Sequence, residues 1–386
     1  METNSGLIET ILNRGVEEII EKEHLAKVLA SGKKLRVKFG IDPTKPNIHL
    51  GHTVPLRKLR QFQELGHKIV LIIGDFTAQI GDPSGQSAER KPLSEKEVKN
   101  NLKTYLAQAG KIVDIKKAEV RYNSEWHKKE GLAAMLEMAR AVSFQQVIKR
   151  ADFQKRIDAG QDITLIETLY PLLQGYDSVK VKADVEIGGT DQKFNLLMGR
   201  RVQRHFKQLE QDIITVPLIE GLDGVRKMSK SYENYIGVTE NSNDMFGKVM
   251  SIPDNLVEKY FTLLTDEDAP SANPYESKMK LAETIVTDYH NAKDADKAKE
   301  NWIKTFSNKQ VPDNIEIKSV SPTTLSSGTI ASLIALGGKS NSEWRRLLEQ
   351  GAIKVNGKVV KNPDEKRSDG DVIKIGKHEF KKIKSE

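Results

Sequence analysis

Two apolar, β-branched runs flanking one helix-forming segment constrain this chain more tightly than any other feature. Leu35-Arg36-Val37-Lys38-Phe39-Gly40 and Lys68-Ile69-Val70-Leu71-Ile72-Ile73-Gly74 read as strands, and Pro55 to Gly66 between them reads as a helix ended by glycine. Strand, helix, strand in so short a span is a βαβ unit, since parallel neighbours can be joined only by a crossover. Further runs at Val181 to Gly188 and Ile213 to Leu218 extend the pattern to a parallel sheet covered by helices, an α/β fold. Such sheets bind ligands at the carboxyl ends of their strands.

The chain has 386 residues, enough for two or three domains, and its apolar share of 38% suits a globular protein. With no cysteine it can build neither disulfides nor thiolate zinc sites, and it has no cysteine nucleophile. Met1 to Asn13 carries acids where a secretion signal would carry a basic segment and an apolar core, and no run is long enough to span a membrane. A cytoplasmic protein is expected. The net charge of +7 is unevenly spread: from Thr323 onward there are 13 Lys/Arg against 8 Asp/Glu, a net of +5. That tail is the expected contact for a polyanion, although a mildly basic enzyme would also fit the total.

Gly131 to Arg150, Asp191 to Leu209 and most of Ser242 to Phe306 have helical periodicity, the last punctuated by Pro253, Pro270 and Pro274. Ser319 to Gly328 has the composition of a linker. Beyond it lie two helices, Thr329 to Leu336 and Ser342 to Gln350, and two β-like runs, Ala352 to Val360 and Asp371 to Lys374. These signals predict domains at 1–222, 223–320 and 321–386.

Two motifs carry chemistry. In Phe39-Gly40-Ile41-Asp42-Pro43-Thr44-Lys45-Pro46-Asn47-Ile48-His49-Leu50-Gly51-His52 the chain leaves a strand, turns on prolines and enters a helix. Gly40 lets a substrate approach the strand end, and Gly51 lets a flat base lie against the helix start, whose free N–H groups favour phosphate. His49 and His52 can both face that mouth and donate to phosphate oxygens. Alone, the pair could also be solvated histidines or metal ligands, although no glutamate or third ligand stands in zinc-site spacing. The second motif, Lys227-Met228-Ser229-Lys230-Ser231, follows the flexible Gly221-Leu222-Asp223-Gly224. Its lysines can clamp the β- and γ-phosphates and stabilise departing pyrophosphate, or simply form a basic surface turn. The pairing of the two motifs favours the phosphate reading.

Together the motifs resemble the HIGH and KMSKS signatures of class I aminoacyl-tRNA synthetases, and the residues between them resemble the tyrosyl-tRNA synthetase family. The most specific pieces are Gly81-Asp82-Pro83-Ser84-Gly85, the spacing of Tyr170, Gln174 and Asp177, and Gly188-Gly189-Thr190-Asp191-Gln192. The resemblance covers nearly the whole chain. It implies a Rossmann-like catalytic domain, an α-helical domain that contacts the anticodon stem, and a small α+β RNA-binding domain of S4 type. It also implies a homodimer that forms tyrosyl-adenylate from L-tyrosine and Mg-ATP and then charges tRNA(Tyr), with magnesium carried by the nucleotide and no protein-bound metal.

Site roles follow from the same resemblance. Tyr170 and Gln174, helped by Asp82, hold the α-ammonium, Asp177 accepts from the phenolic hydroxyl, and Gln192 meets the carboxylate end. Their spacing also puts Tyr170, Gln174 and Asp177 on one helical face, which an amphipathic helix with a core tyrosine would show too. Gly40 lies beside the amino acid. Asp191 binds the ribose, while Asp42, Gly51, Met228 and Ser229 lie along the nucleotide. Thr44, His49, His52, Lys227 and Lys230 stabilise the transition state. Two positions depart from the family pattern: Lys38 stands where many members carry a tyrosine directed at the phenol, and Glu186 where a glutamine is common. The tail resembles an S4 domain, with Arg345, Arg346, Lys354 and Lys358 as a basic edge and Asn356-Gly357 as a hairpin turn. A solvated basic face is the plainer reading of those four. Three rivals share parts of this pattern: a tryptophanyl-tRNA synthetase, a synthetase scaffold serving as an RNA-binding protein, and a general nucleotidylyltransferase.

Overall fold

The computed structural model describes residues 4–84, 93–270, 273–307, 316–337, 339–360, 362, 364–376 and 379–385. Gly85 of the Gly81 to Gly85 motif lies outside these. The chain divides into two compact units, Met1–Ala295 and Asp296–Glu386.

The first unit is built on a six-stranded sheet: β1 (Glu18–Ile20), β2 (Arg36–Ile41), β3 (Lys68–Ile73), β4 (Glu119–Tyr122), β5 (Val185–Gly189) and β6 (Asp212–Val216), in the order β1-β6-β5-β2-β3-β4. β2 to β6 run parallel, whereas β1 pairs antiparallel with β6, so the expected all-parallel sheet has one reversed edge strand. Ile69 to Ile73 are all buried, as a central strand covered on both faces requires. Each such side chain contributes roughly 1.5–3 kcal/mol of burial. From β2 the chain winds outward through β3 to β4, then returns to place β5 on the other side of β2. The reversal makes the carboxyl ends of β2 and β5 a topological switch point. Between these strands the ladder holds only the pairs Val37↔Val185 and Lys38↔Glu186.

Two helices close the crevice from one side. Leu165–Val181 begins at Thr164, whose backbone N–H and hydroxyl both donate to Glu167 Oε2 at 3.0 Å. It packs on Lys193–His205, and Gly175 makes the approach possible: a Cβ there would lie 2.8 Å from Val202 Cγ2 and 3.3 Å from Gly199 Cα. Helix Leu50–Glu64 begins five residues before the Pro55 read as its start, with His49 as its N-cap. Val181, read as a strand residue, instead ends a helix, and the chain turns through left-handed Lys182 before β5.

Two further readings change. Gly131 to Arg150 is not one helix. Gly131 breaks the segment Ser124–Ala139 with φ 61° and ψ −148°, and Phe144–Ile148 is a separate turn of helix. Helix at Asp191 to Leu209 is confined to Lys193–His205 after a 3₁₀ turn. From Ser242 onward the helical expectation holds, with helices Ser242–Met250, Val257–Leu264, Pro274–Tyr289 and Ala292–Trp302.

The second unit carries a five-stranded sheet of β7 (Glu316–Val320), β8 (Ile353–Val355), β9 (Lys358–Val359), β10 (Val372–Ile375) and β11 (Glu379–Ser385), ordered β7-β11-β10-β8-β9. The stretch 319–328, linker-like in composition, instead ends β7 and forms the helix Pro322–Ser326. Its core gathers Val320, Leu333, Ile353, Ile373 and Ile383 with the fully buried Trp344. Asn356, at φ 47°, and Gly357, at φ 82°, turn the β8–β9 hairpin as their sequence requires. No described helix is long and apolar enough to cross a membrane.

Candidate active site

A cavity of about 660 Å³ opens between the carboxyl ends of β2 and β5. All the catalytic, amino-acid and nucleotide residues expected from the sequence line it: Gly40, Asp42, Thr44, His49, Gly51 and His52 from the first motif, Asp82, Tyr170, Gln174, Asp177, Asp191 and Gln192 between the motifs, and Lys227, Met228, Ser229 and Lys230 from the second. Arg345, Arg346, Lys354 and Lys358 belong to the second unit, where all four are exposed.

Asp42 follows β2 directly and sets one wall. Its Oδ1 accepts from Thr77 Oγ1 at 2.7 Å and its Oδ2 from the Tyr170 hydroxyl at 2.9 Å. The carboxylate needs a glycine opposite, since a Cβ on Gly74 would lie 1.9 Å from Asp42 Oδ1. Burial first, and then the Asp42 charge, raise the Tyr170 pKa well above the ordinary phenol value. Tyr170 is therefore a neutral donor.

The polar floor is one connected network. Gln192 Nε2 donates to Asp82 Oδ2 at 2.6 Å, and the Ser84 N–H donates to Asp82 Oδ1 at 2.9 Å. Asn195, fully buried, donates to Gln174 Oε1 at 3.1 Å and Gln192 Oε1 at 3.0 Å, and accepts from Arg150 at 2.9 Å. Its position three residues after Gln192, the N-cap of its helix, is the one sequence signal that could have found it. Asp177 lies deeper, taking hydrogen bonds from Trp126 Nε1 at 2.8 Å and Asn123 Nδ2 at 3.3 Å, with His127 Nε2 at 2.9 Å. A carboxylate offers about four lone-pair sites, so these three partners leave room for one more donor.

Lys38 does not reach the cavity as a donor to a phenol. It is fully buried below the cavity, with its ammonium on Glu186 Oε1 at 2.8 Å, Ser178 Oγ at 2.8 Å and the Gln174 carbonyl at 2.9 Å. Its three protons are thereby used. The two departures from the family pattern prove to be partners.

At the other end, His49 caps the helix Leu50–Glu64, and its ring lies 3.8 Å from that of His52 between centroids. The His49 backbone N–H donates to His52 Nδ1 at 3.3 Å, which assigns the His52 proton to Nε2. Burial, then Lys230, lowers the His52 pKa to about 4. His49 is pushed lower still by burial, His52 and Lys230. Both rings are neutral N–H donors near pH 7.

The lysine loop is held by Asn234, whose Oδ1 accepts the Ser229 N–H at 2.8 Å. Nothing in the motif itself signals that residue. Lys227 Nζ lies 2.9 Å from Asp191 Oδ2, and Lys230 donates to the Asn47 carbonyl. Burial and then Lys45 bring the Lys230 pKa down to about 8. The segment after the loop pairs back on the first motif through an antiparallel bridge between Gly237 and His49. The two motifs are therefore one structure. Among the described residues no group of three or more His, Cys, Asp or Glu is placed to hold a metal ion.

Comparison with known proteins identifies the family of the chain. Residues 30–307 match the model of the "tRNA synthetases class I (W and Y)" family, and residues 333–373 match the S4 domain. The tyrosine–tRNA ligase of Idiomarina loihiensis is 46% identical over 96% of this chain and 96% of its own. That of Aquifex aeolicus is 46% identical over 97% and 98%. In fold, the chain is similar to a C-terminally truncated mitochondrial tyrosyl-tRNA synthetase from Aspergillus nidulans (TM-score 0.65, 20% identity, 78% of this chain and 94% of that one). It is also similar to the tyrosyl-tRNA synthetase of Archaeoglobus fulgidus complexed with L-tyrosine (TM-score 0.61, 20% identity, 77% and 99%). With one family model spanning most of its length and relatives of this identity end to end, the chain belongs to the class I tRNA synthetases, among the tyrosine–tRNA ligases.

Proposed function

We propose that this chain activates L-tyrosine with ATP to tyrosyl-adenylate, releasing pyrophosphate, and then transfers the tyrosyl group to the 3′ end of tRNA(Tyr). One observation carries the reading: the histidine motif, the lysine loop and the Tyr170, Gln174 and Asp177 face all line a single cavity at the switch point of the sheet. The tyrosine carboxylate attacks the α-phosphorus, forming the acyl–phosphate bond as the bond to the β-phosphate oxygen breaks. No side-chain nucleophile is required, so rate comes from positioning and from charge stabilisation. Thr44 and the neutral N–H groups of His49 and His52 meet the α-phosphate. Lys227 and Lys230 exchange Asp191 and the Asn47 carbonyl for the departing pyrophosphate. Asp191, freed of Lys227, takes the ribose, with Asp42, Gly51, Met228 and Ser229 along the nucleotide and Gly40 beside the amino acid. Magnesium arrives on the ATP phosphates.

At the amino-acid end, Gln174 and Tyr170 hold the ammonium near Asp82, and Gln192 faces the carboxylate. Asp177 uses its remaining lone pair for the phenol. Phenylalanine would leave that buried carboxylate short of a partner, a cost of about 1–3 kcal/mol or more. A tryptophan substrate has no use for it.

The basic edge of the second unit is read as the tRNA contact. Lys354 stands opposite Lys374 across β8 and β10, which adds a cation to the edge expected from the sequence. A homodimer is read from large apolar side chains exposed between residues 132 and 166. Leu132 is 72% exposed and Leu165 71%, with Leu136, Phe144, Ile157 and Ile166 also open. Apolar exposure this concentrated marks an interaction surface.

Pyrophosphate exchange run across all twenty amino acids is expected to respond to tyrosine alone, and His52→Ala to slow it far more than it weakens tyrosine binding. Exchange with phenylalanine as fast as with tyrosine would remove the role given to Asp177, and exchange with tryptophan alone would overturn the assignment.

The charged form of Lys230 persists below its pKa and is lost as pH rises through about 8. At saturating tyrosine, kcat/KM for ATP should therefore fall above about pH 8, by roughly tenfold per pH unit at the limit. Lys230→Arg, which cannot deprotonate in this range, should be slower but flat there. An unchanged alkaline limb in that variant would dissociate Lys230 from phosphate.

Replacing Arg345 and Arg346 with alanine should raise KM for tRNA and reduce the salt slope of tRNA binding by up to about one unit per lost phosphate contact, with tyrosine activation intact. An unaltered KM for tRNA would return the basic edge to a solvated face. Leu132→Asp combined with Leu136→Asp should convert a dimer to a monomer in sedimentation equilibrium, and a dimer that persists would place the interface elsewhere.

A further inference from the structure

Helix Glu95–Ala109 turns one face to the loop that joins β2 to the histidine motif. Asn101 donates to the Pro43 carbonyl at 2.8 Å, and Thr104 and Gln108 both donate to the Pro46 carbonyl at 2.8 Å. Gln108 Oε1 also accepts from the Ile48 N–H at 2.7 Å. These three residues stand at i, i+3 and i+7 of the helix, and Tyr105, at i+4, belongs to the same face. Its neighbours are spent on the loop backbone, and its own hydroxyl is not.

Tyr105 is 3% exposed and lines the cavity. Among the described residues no hydrogen-bond partner meets its hydroxyl, whereas the Tyr170 hydroxyl is spent on Asp42. A buried polar group is costly to leave unpaired, and where it borders a cavity a ligand can supply the partner. Burial first, and then the Asp42 charge, raise the Tyr105 pKa, so the phenol keeps its proton and is a neutral donor.

Its place selects the acceptor. Asp82, Gln174 and Gln192 serve the amino acid at one end of the cavity, and Lys227 and Lys230 the departing pyrophosphate at the other. Tyr105 stands between them, within the field of Asp42 and against the loop that carries Thr44. A phosphate oxygen arriving beside the Asp42 carboxylate needs a donor whose proton no protein acceptor already holds. We infer that the Tyr105 hydroxyl donates to an α-phosphate oxygen of ATP, which makes Tyr105 a further catalytic residue in adenylate formation. This role rests on the reading of the cavity as the site of tyrosine activation. Helix Glu95–Ala109 then acts twice, holding the loop of Thr44 with one set of side chains and supplying a donor of its own from the turn between them.

The test is Tyr105→Phe in the full-length protein, which removes one oxygen and keeps the packed ring. The kcat of tyrosine-dependent pyrophosphate exchange should fall roughly 10- to 100-fold, as for one hydrogen bond to a charged group, while the Kd of L-tyrosine measured without ATP stays within about twofold. Replacing ATP by the two diastereomers of its α-phosphorothioate locates the contact, because sulfur accepts hydrogen bonds poorly. The sulfur penalty seen in the wild-type protein should shrink for one diastereomer in Tyr105→Phe. An unchanged kcat would overturn the inference, as would tyrosine binding weakened as much as kcat, or sulfur penalties that persist in full for both diastereomers. Absence of tyrosine-dependent exchange in the wild-type protein would instead overturn the reading of the site.

Discussion

The early parting of β2 from β5 is the constraint on which the rest of the molecule depends. β2 stays paired with β3 to Ile41↔Ile73, and β5 with β6 to Gly189↔Val216, but β2 and β5 share only two rungs. Parallel strands that separate at a switch point expose backbone that must be satisfied by other means, and a polar ligand can supply them. The chain prepares the opening on both sides. Past the last rung, β2 delivers Gly40 and Asp42, and β5 delivers Gly188, Gly189, Asp191 and Gln192. Glycines are demanded where the walls crowd: a Cβ on Gly188 would lie 3.1 Å from both Gln192 and Leu196, and one on Gly189 2.8 Å from Asp191 Oδ1.

The cavity that results is electrostatically divided. At one end Asp42, Asp82 and Asp177 are carboxylates held by neutral donors, Tyr170, Gln192 and Trp126 among them. Such an environment favours a cation and a phenolic hydroxyl. Around the other end, Lys45, Lys227 and Lys230 gather with two histidines that burial keeps uncharged. Uncharged histidines are the better arrangement there. Two more fixed cations would add to the repulsion among Lys45, Lys227 and Lys230, whereas neutral N–H groups add little. Burial, and then Lys45, already brings the Lys230 pKa down to about 8.

Much of this was legible in the sequence because it is local. Strands β2 and β3 are continuous apolar runs, the histidine motif spans one crossover, and the Tyr170 to Asp177 spacing fixes one helical face. What escaped is tertiary. β1 and β4 have three and four residues with intermediate burial, too short and too mixed to show a period. Thr77, Asn123 and Trp126 join the site through partners dozens of residues away, and no spacing rule connects them. Gly131 inside a helical pattern was tolerable by periodicity, and only its positive φ reveals the break.

Lys38 shows why a single position cannot be read in isolation. Considered alone, a lysine at the end of a strand facing a substrate pocket is a donor in search of a phenol. Its meaning changes only when Glu186, 148 residues later, is placed opposite it in register. A buried lysine must spend its charge on the nearest fixed acceptor, because desolvation otherwise costs several kcal/mol. With an acceptor 2.8 Å away, the ammonium has no freedom to serve the substrate directly. Lys38 and Glu186 are therefore to be read together, as one buried ion pair.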